Sequence, residues 1–136
     1  MKTKTDSVSA LKKKADKVFS IWIRTRDSVD GYAACFTCGT SKPIGQMQAG
    51  HFVSRRVNLL RFDEKNVHAQ CYACNVMKHG DLYTYAKKLD EFYGPGAADE
   101  LHNQRFATHK FTVDELRQIV ERYSNEAEEG YGRTYR

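Results

Sequence analysis

Two Cys-x-x-Cys pairs, Cys35-Phe36-Thr37-Cys38 and Cys71-Tyr72-Ala73-Cys74, constrain this chain more than any other feature. A Cys-x-x-Cys turn presents two thiolates to one ion with little strain, and two such turns fill the tetrahedral shell that zinc prefers. The amino terminus carries no hydrophobic leader, so the expected compartment is the cytoplasm, where thiols stay reduced and such spacing points to metal rather than disulfides. Cys35, Cys38, Cys71 and Cys74 are therefore the expected ligands of a zinc ion. A closed four-cysteine site has no open coordination position, so this zinc would be structural. Unliganded thiols, or mixed ligation by His51, His68 or His79, are the weaker alternatives.

The 136 residues fit one domain: a basic helix over 1–30, a zinc-bound core over 31–80, helices over 81–125 and a flexible tail over 126–136. No apolar run is long enough for a membrane span, so no membrane partner is expected. Charge is divided unevenly. Residues 1–90 hold 16 Lys and Arg against 8 Asp and Glu, whereas residues 91–136 hold 6 against 9. The positive part also holds the cysteines, which suits a polyanion such as DNA. A solvated lysine-rich helix face explains the same composition equally well.

Periodicity predicts a helix over 7–28, with Val8, Leu11, Ala15, Val18, Phe19 and Trp22 on one face and Asp30-Gly31 ending it. Residues 32–80 read as short strands and loops, with apolar runs at 48–53, 58–62 and 67–71, then a short helix from Tyr72 to Gly80. Leu82, Tyr85, Ala86, Leu89, Phe92 and Tyr93 mark a helix stopped by Gly94-Pro95. Residues 98–106 read as another turn or two. Thr112-x-x-Glu115 is a capping box for a last helix, with Val113, Leu116, Ile119, Val120 and Tyr123 inward and fraying from Glu126.

From Asn66 the chain reads Asn-Val-His-Ala-Gln-Cys-Tyr-Ala-Cys-Asn-Val-Met-Lys, with Gly50-His51 fifteen residues upstream. This segment resembles the HNH, or His-Me finger, nuclease motif, a β-hairpin and helix gripping one divalent ion. The resemblance implies an α+β fold with a zinc-stapled ββα-metal core and flanking N- and C-terminal helices. It makes His51 the general base, a role suited to an imidazole with an ordinary pKa near 6.5. It makes Asn75 the ligand of a catalytic Mg²⁺ or Mn²⁺, and Asn66 the residue that ties the hairpin loop and orients His51. Lys78, Arg55 and Arg56 would hold phosphate. Gly50 stands where many members carry a metal-binding Asp, which opens the rest of the shell to His79, Asp81 or Asp63. His68 reads as a structural strand residue, and Asn75 could also simply cap a helix.

Three longer stretches, Phe19 to Asp27, Gln48 to Phe52 and Leu60 to Cys71, are similar to the NinG (Rap) recombination proteins of lambdoid phages, as are Tyr85-x3-Leu89 and Tyr93-Gly94. Gly before His is normal in that family. The resemblance implies an endonuclease acting on branched recombination intermediates such as D-loops and Holliday junctions, in the bacterial host cytoplasm. Phage endonuclease VII offers the same combination of a four-cysteine site, a His and an Asn after the last cysteine. Lys12, Lys13, Lys14 and Lys17, with Arg55 and Arg56, would contact backbone phosphates, while Tyr131, Arg133 and Tyr135 could contact unpaired bases but read better as part of a disordered tail. Two symmetric cuts would be simplest for a homodimer. A zinc-dependent branched-DNA-binding module without catalysis, and an HNH nuclease acting on ordinary duplex, are the other readings.

Overall fold

The computed structural model describes the backbone of residues 7–134 and the side chains of residues 7–126. Helix α1 (Val8–Arg26) starts where the Ser7 hydroxyl accepts a hydrogen bond from the Ala10 amide at 3.1 Å, satisfying a donor that helix geometry leaves unpaired. Its stripe of Leu11, Ala15, Phe19 and Ile23 is buried. That stripe meets α5 (Val113–Thr134), with Leu11 and Ala15 on Leu116 and Phe111, and Phe19 and Ile23 on Tyr123 and Val67. Phe19 takes Tyr123 edge-on at 4.8 Å and Phe62 at 5.5 Å between ring centroids, a geometry favoured by aromatic quadrupoles.

Asp30-Gly31 does more than follow the helix. Both residues have positive φ (52° and 82°) and form the two-residue turn between β1 (Ser28–Val29) and β2 (Tyr32–Ala34), the geometry that matches strand twist. β2 pairs antiparallel with β3 (Ser41–Pro43), giving the order β1-β2-β3. The first cysteine pair sits in the β2–β3 loop, closed by Gly39 (φ 81°), whose amide donates to the Cys35 carbonyl.

A second sheet pairs β4 (Gln48–His51) with β5 (Val67–Gln70), Gln48 opposite Gln70 and His51 opposite Val67. The run 58–62, expected as extended, instead forms a helical turn, α2 (Asn58–Arg61). So short an apolar run has no diagnostic period, and here only Leu60 of α2 is buried. After Cys71 the chain makes a π-helical turn (Ala73–Met77) and then α3 (Leu82–Tyr93), which stops at Gly94 with φ 110°. α4 (Ala97–His102) packs on α3 around Tyr85, Leu89, Ala98 and Leu101. Half of the expected capping box forms: Thr112 Oγ1 accepts from the Glu115 amide at 3.1 Å, whereas the Glu115 carboxylate turns to His109.

α5 continues past Glu126 to Thr134. The readings made for Tyr131, Arg133 and Tyr135 fall outside the described side chains. No helix among the described residues is long and apolar enough to cross a membrane.

Candidate active site and metal centre

The first loop and the start of the π-turn bring all four cysteines together, their Sγ atoms within 4.8 Å of one another. Cys38 and Cys71 Sγ are 3.7 Å apart. A tetrahedral zinc with Zn–S near 2.3 Å needs S···S separations of about 3.8 Å, so the cluster fits a metal such as zinc. Cys35, Cys71 and Cys74 are buried among Ala33, Ile44, Met47 and Ala69, while Cys38 is exposed. Burial and the adjacent thiols push Cys74 up to about 12, whereas at Cys35 hydrogen bonds from Thr37 and the backbone outweigh burial and bring the thiol down to about 6. Thr37 Oγ1 lies 3.4 Å from Cys35 Sγ and accepts a hydrogen bond from Gln70 Nε2 at 3.1 Å, which aims its own hydroxyl proton at the sulfur.

Beside this cluster, an open cleft of about 710 Å³ is lined by residues from distant parts of the chain: Asp16 and Arg24 of α1, Gln48 and His51 of β4, Arg55, Asn75 and His79. Antiparallel pairing of β4 with β5 carries His51 to the strand end, and the π-turn that includes Cys74 brings Asn75 into the same cleft. The His51 Nε2 lies 2.9 Å from the Arg61 carbonyl oxygen. A carbonyl can only accept, so Nε2 carries the proton and Nδ1 keeps its lone pair. Burial holds the His51 pKa below its ordinary value, against the opposing Arg61 carbonyl bond and Asp16 charge. The imidazole is thus neutral at pH 7 and able to take up a proton at Nδ1.

Asn75 Nδ2 donates to Gln48 Oε1 at 2.6 Å, which leaves the amide oxygen, a hard donor, unused by that bond. Asn66 is fully buried beneath the loop. Its Oδ1 accepts from the Val53 amide at 2.8 Å, and its Nδ2 donates to the Val53 and Leu60 carbonyls. These bonds join the loop to the end of α2, and His51 is not among the hydrogen-bond partners described for the Asn66 side chain. The orienting bond comes from the next carbonyl along, that of Arg61.

Gly50 has a local cause. A Cβ there would lie 1.8 Å from Gln70 Oε1, and Gln70 is held by bonds from Nε2 to Thr37 and to the Gly80 carbonyl. A carboxylate has no room at that position. Of the residues considered for a second ligand, Asp63 Oδ1 accepts from the amides of Lys65 and Asn66 and lies outside the cleft. Asp81 precedes α3 with φ 49° and makes no side-chain cap bond, and it too is not in the lining. His79 reaches the cleft within a run of three positive-φ residues, His79, Gly80 and Asp81.

Basic residues divide similarly. Arg55 lines the cleft, and the exposed Arg56 and Lys78 flank it in sequence. By helical phase Lys13 and Lys17 share the α1 face of Ser20 and Arg24, which lines the cleft, whereas Lys14 turns away. Lys12 Nζ sits over the Phe111 ring at 5.6 Å. His68 is structural in its contacts: stacked on Phe36 at 3.9 Å, with Nε2 2.8 Å from the Tyr93 hydroxyl and Nδ1 3.2 Å from that of Tyr85. Tyr85 spends its proton on the Gly50 carbonyl at 2.6 Å, so His68 Nδ1 donates to Tyr85 and Nε2 accepts from Tyr93. Burial, with the Arg26 charge, lowers the His68 pKa to about 3. Asp16, Arg24, Gln48 and Arg61 were not singled out in the sequence, since nothing in their spacing marks them.

Comparison with known proteins is consistent along nearly the whole chain. Residues 1–130 match the family described as Bacteriophage Lambda NinG protein. Among individual relatives, Protein ninG of Escherichia phage 933W is 37% identical over 115 residues, covering 82% of this chain and 53% of that protein. Protein ninG of Salmonella phage P22 is 36% identical over 112 residues, with 82% and 53% covered. For Protein ninG of Escherichia phage lambda the values are 35% over 115 residues, 82% and 52%. The chain therefore spans about half the length of the curated relatives it matches. No solved structure matches it. On the match over residues 1–130 and these identities, the chain belongs to the NinG family of lambdoid phages.

Proposed function

We propose that this chain is a metal-dependent endonuclease of the HNH, or His-Me finger, type, hydrolysing phosphodiesters in DNA, with branched recombination intermediates as its substrates and a homodimer as its working form. The observation that carries the reading is the pairing of His51 and Asn75 in one cleft, the first a neutral imidazole with Nδ1 unprotonated. Its support for branched DNA is the resemblance stretches of the sequence, and for a polyanion the Arg55 and α1 lysine flank.

In this mechanism His51 Nδ1 accepts a proton from the attacking water, while the Arg61 carbonyl holds the opposite ring nitrogen and stabilises the imidazolium that forms. Asn75, its amide fixed by Gln48, would hold Mg²⁺ or Mn²⁺ through Oδ1, and water and phosphate oxygens suit the remaining positions of such an ion. When bound, the ion supplies charge stabilisation at the phosphate and the leaving oxygen. Arg55 positions the phosphate. The zinc cluster holds the β2–β3 loop against β5 and takes no part in the chemistry.

The test is cleavage of four-way junction, D-loop and linear duplex substrates with Mg²⁺ or Mn²⁺. His51→Ala should lower the rate about 10²- to 10⁴-fold, and Asn75→Ala should remove the metal dependence with the activity. Cleavage by His51→Ala at the parent rate would overturn the general-base role. Junction binding with no product under either metal would favour a binding module, and equal cutting of linear and branched DNA would favour a duplex nuclease.

A further inference from the structure

The carbonyl that orients His51 belongs to a residue whose own side chain is unusually constrained. Arg61 Nε donates to Asp16 Oδ1 at 2.8 Å and Nη2 to Oδ2, a two-pronged ion pair with both side chains mostly shielded (13% and 24% exposed). Its remaining terminal nitrogen, Nη1, donates to the Arg55 carbonyl at 2.9 Å. One guanidinium therefore joins α1, the loop after β4 and the end of α2. The planar guanidinium spreads these three attachments over three separate nitrogens, a span that the single nitrogen of an ammonium does not have.

The backbone beside it is held from the other side. The Leu60 carbonyl accepts from Asn66 Nδ2 and from the amides of Phe62 and Asp63. The Arg61 carbonyl is one of the last of α2, where helix geometry leaves carbonyls without a partner in the helix. His51 Nε2–H is its partner.

We propose that Asp16 and Arg61 are positioning residues for His51: their ion pair fixes the Arg61 carbonyl so that His51 is kept as the Nε2–H tautomer, with Nδ1 left unprotonated. The proposal rests on the reading of His51 as general base, but its structural half can be measured without cleavage. Arg61→Lys keeps the charge and loses the fork. Asp16→Asn keeps the size and one acceptor while removing the ion pair.

The experiment is imidazole ¹⁵N NMR of the zinc-loaded chain at pH 7.5, alongside kcat and KM for junction cleavage. In the parent, His51 should show a protonated Nε2 and an unprotonated Nδ1. In Arg61→Lys the two ¹⁵N shifts should move toward each other as the tautomers mix, with kcat down about 10- to 100-fold and KM within about twofold; Asp16→Asn should move in the same direction by less. Unchanged His51 shifts in both variants overturn the clamp, whatever the cleavage data show. A mixed tautomer in the variants with cleavage that survives His51→Ala leaves the clamp standing and sinks the general-base reading instead. If Arg61→Lys fails to fold, Asp16→Asn alone decides between these outcomes by the same shifts.

Discussion

The helical base and the cysteine-bearing half of this molecule are held together by different physics. In the base, α1 and α5 bury large side chains, Phe19, Ile23, Leu116 and Tyr123, against one another. Around the cysteines the strands are two to four residues long and the buried set is small: Ala33, Cys35, Ile44, Met47, Ala69, Cys71 and Cys74. Short strands with little apolar area cannot offset the entropy of ordering on their own. The difference teaches that His51 and Asn75 stand on the half whose cysteines could hold a metal, while Asp16, the ion-pair partner of Arg61, stands on the half built from large apolar side chains.

The largest effect should come from removing the ion. Cys71→Ser, or exhaustive chelation, should abolish hydrogen-exchange protection over residues 28–80 and leave slow exchange in α1, since structural zinc is worth on the order of 10 kcal/mol or more. Loss of protection in both halves together would break the comparison. From the other side, Leu116→Ala removes a fully buried side chain of the base and should lower stability by about 2–5 kcal/mol in urea unfolding. Its zinc content, measured by metal analysis, should stay at one per chain.

A smaller change probes the join between the cysteine cluster and the cleft. Gly50→Ala places a methyl against Gln70, which must then release Thr37 or the Gly80 carbonyl. About 1–3 kcal/mol of destabilisation is expected, with a shift in the Thr37 and Cys35 resonances as the local signature. The smallest effect is a slope. His68 is held neutral in the fold with a pKa near 3, whereas the unfolded chain takes up a proton near 6.5. The unfolded state thus binds the extra proton between these values, so stability is full above about pH 6.5 and falls as pH drops, by up to about 1.4 kcal/mol per unit. Urea midpoints between pH 5 and 7 should show the slope, and His68→Gln should flatten it.

Sequence patterning foretold some of this and missed the rest for identifiable reasons. The α1 and α5 stripes and the Gly94 stop were readable because helical period and backbone conformation are local properties. The cysteine cluster was readable because two turns of fixed spacing imply one ion. Residues 58–62 were not, since five residues with only three apolar side chains serve a helical turn as well as a strand. The orienting partner of His51 was hidden for a deeper reason. It is a backbone carbonyl, which any residue possesses, and the side chain that locks it finds its partner 45 positions away in α1. Gly50 looked like a lost ligand, and the Gln70 side chain explains why nothing larger fits.

The π-turn at Ala73–Met77 closes with a bond from the Lys78 amide to the Ala73 carbonyl at 2.9 Å, one residue wider than an α-helical turn. Its consequence concerns insertions and deletions. Losing one residue between Asn75 and Gly80 would tighten the turn and shift the start of α3, drawing Tyr85 away from the Gly50 carbonyl and the Gly80 carbonyl away from Gln70 at once. The stretch between α4 and α5 is fixed at His109, whose carbonyl accepts from Asn58 Nδ2, and at the buried Phe111, while the hydrogen bonds described for the turn ahead of them, residues 103–108, are all local. Length should be free to drift there, while in the π-turn a single codon's change would uncouple the cleft from the helices behind it.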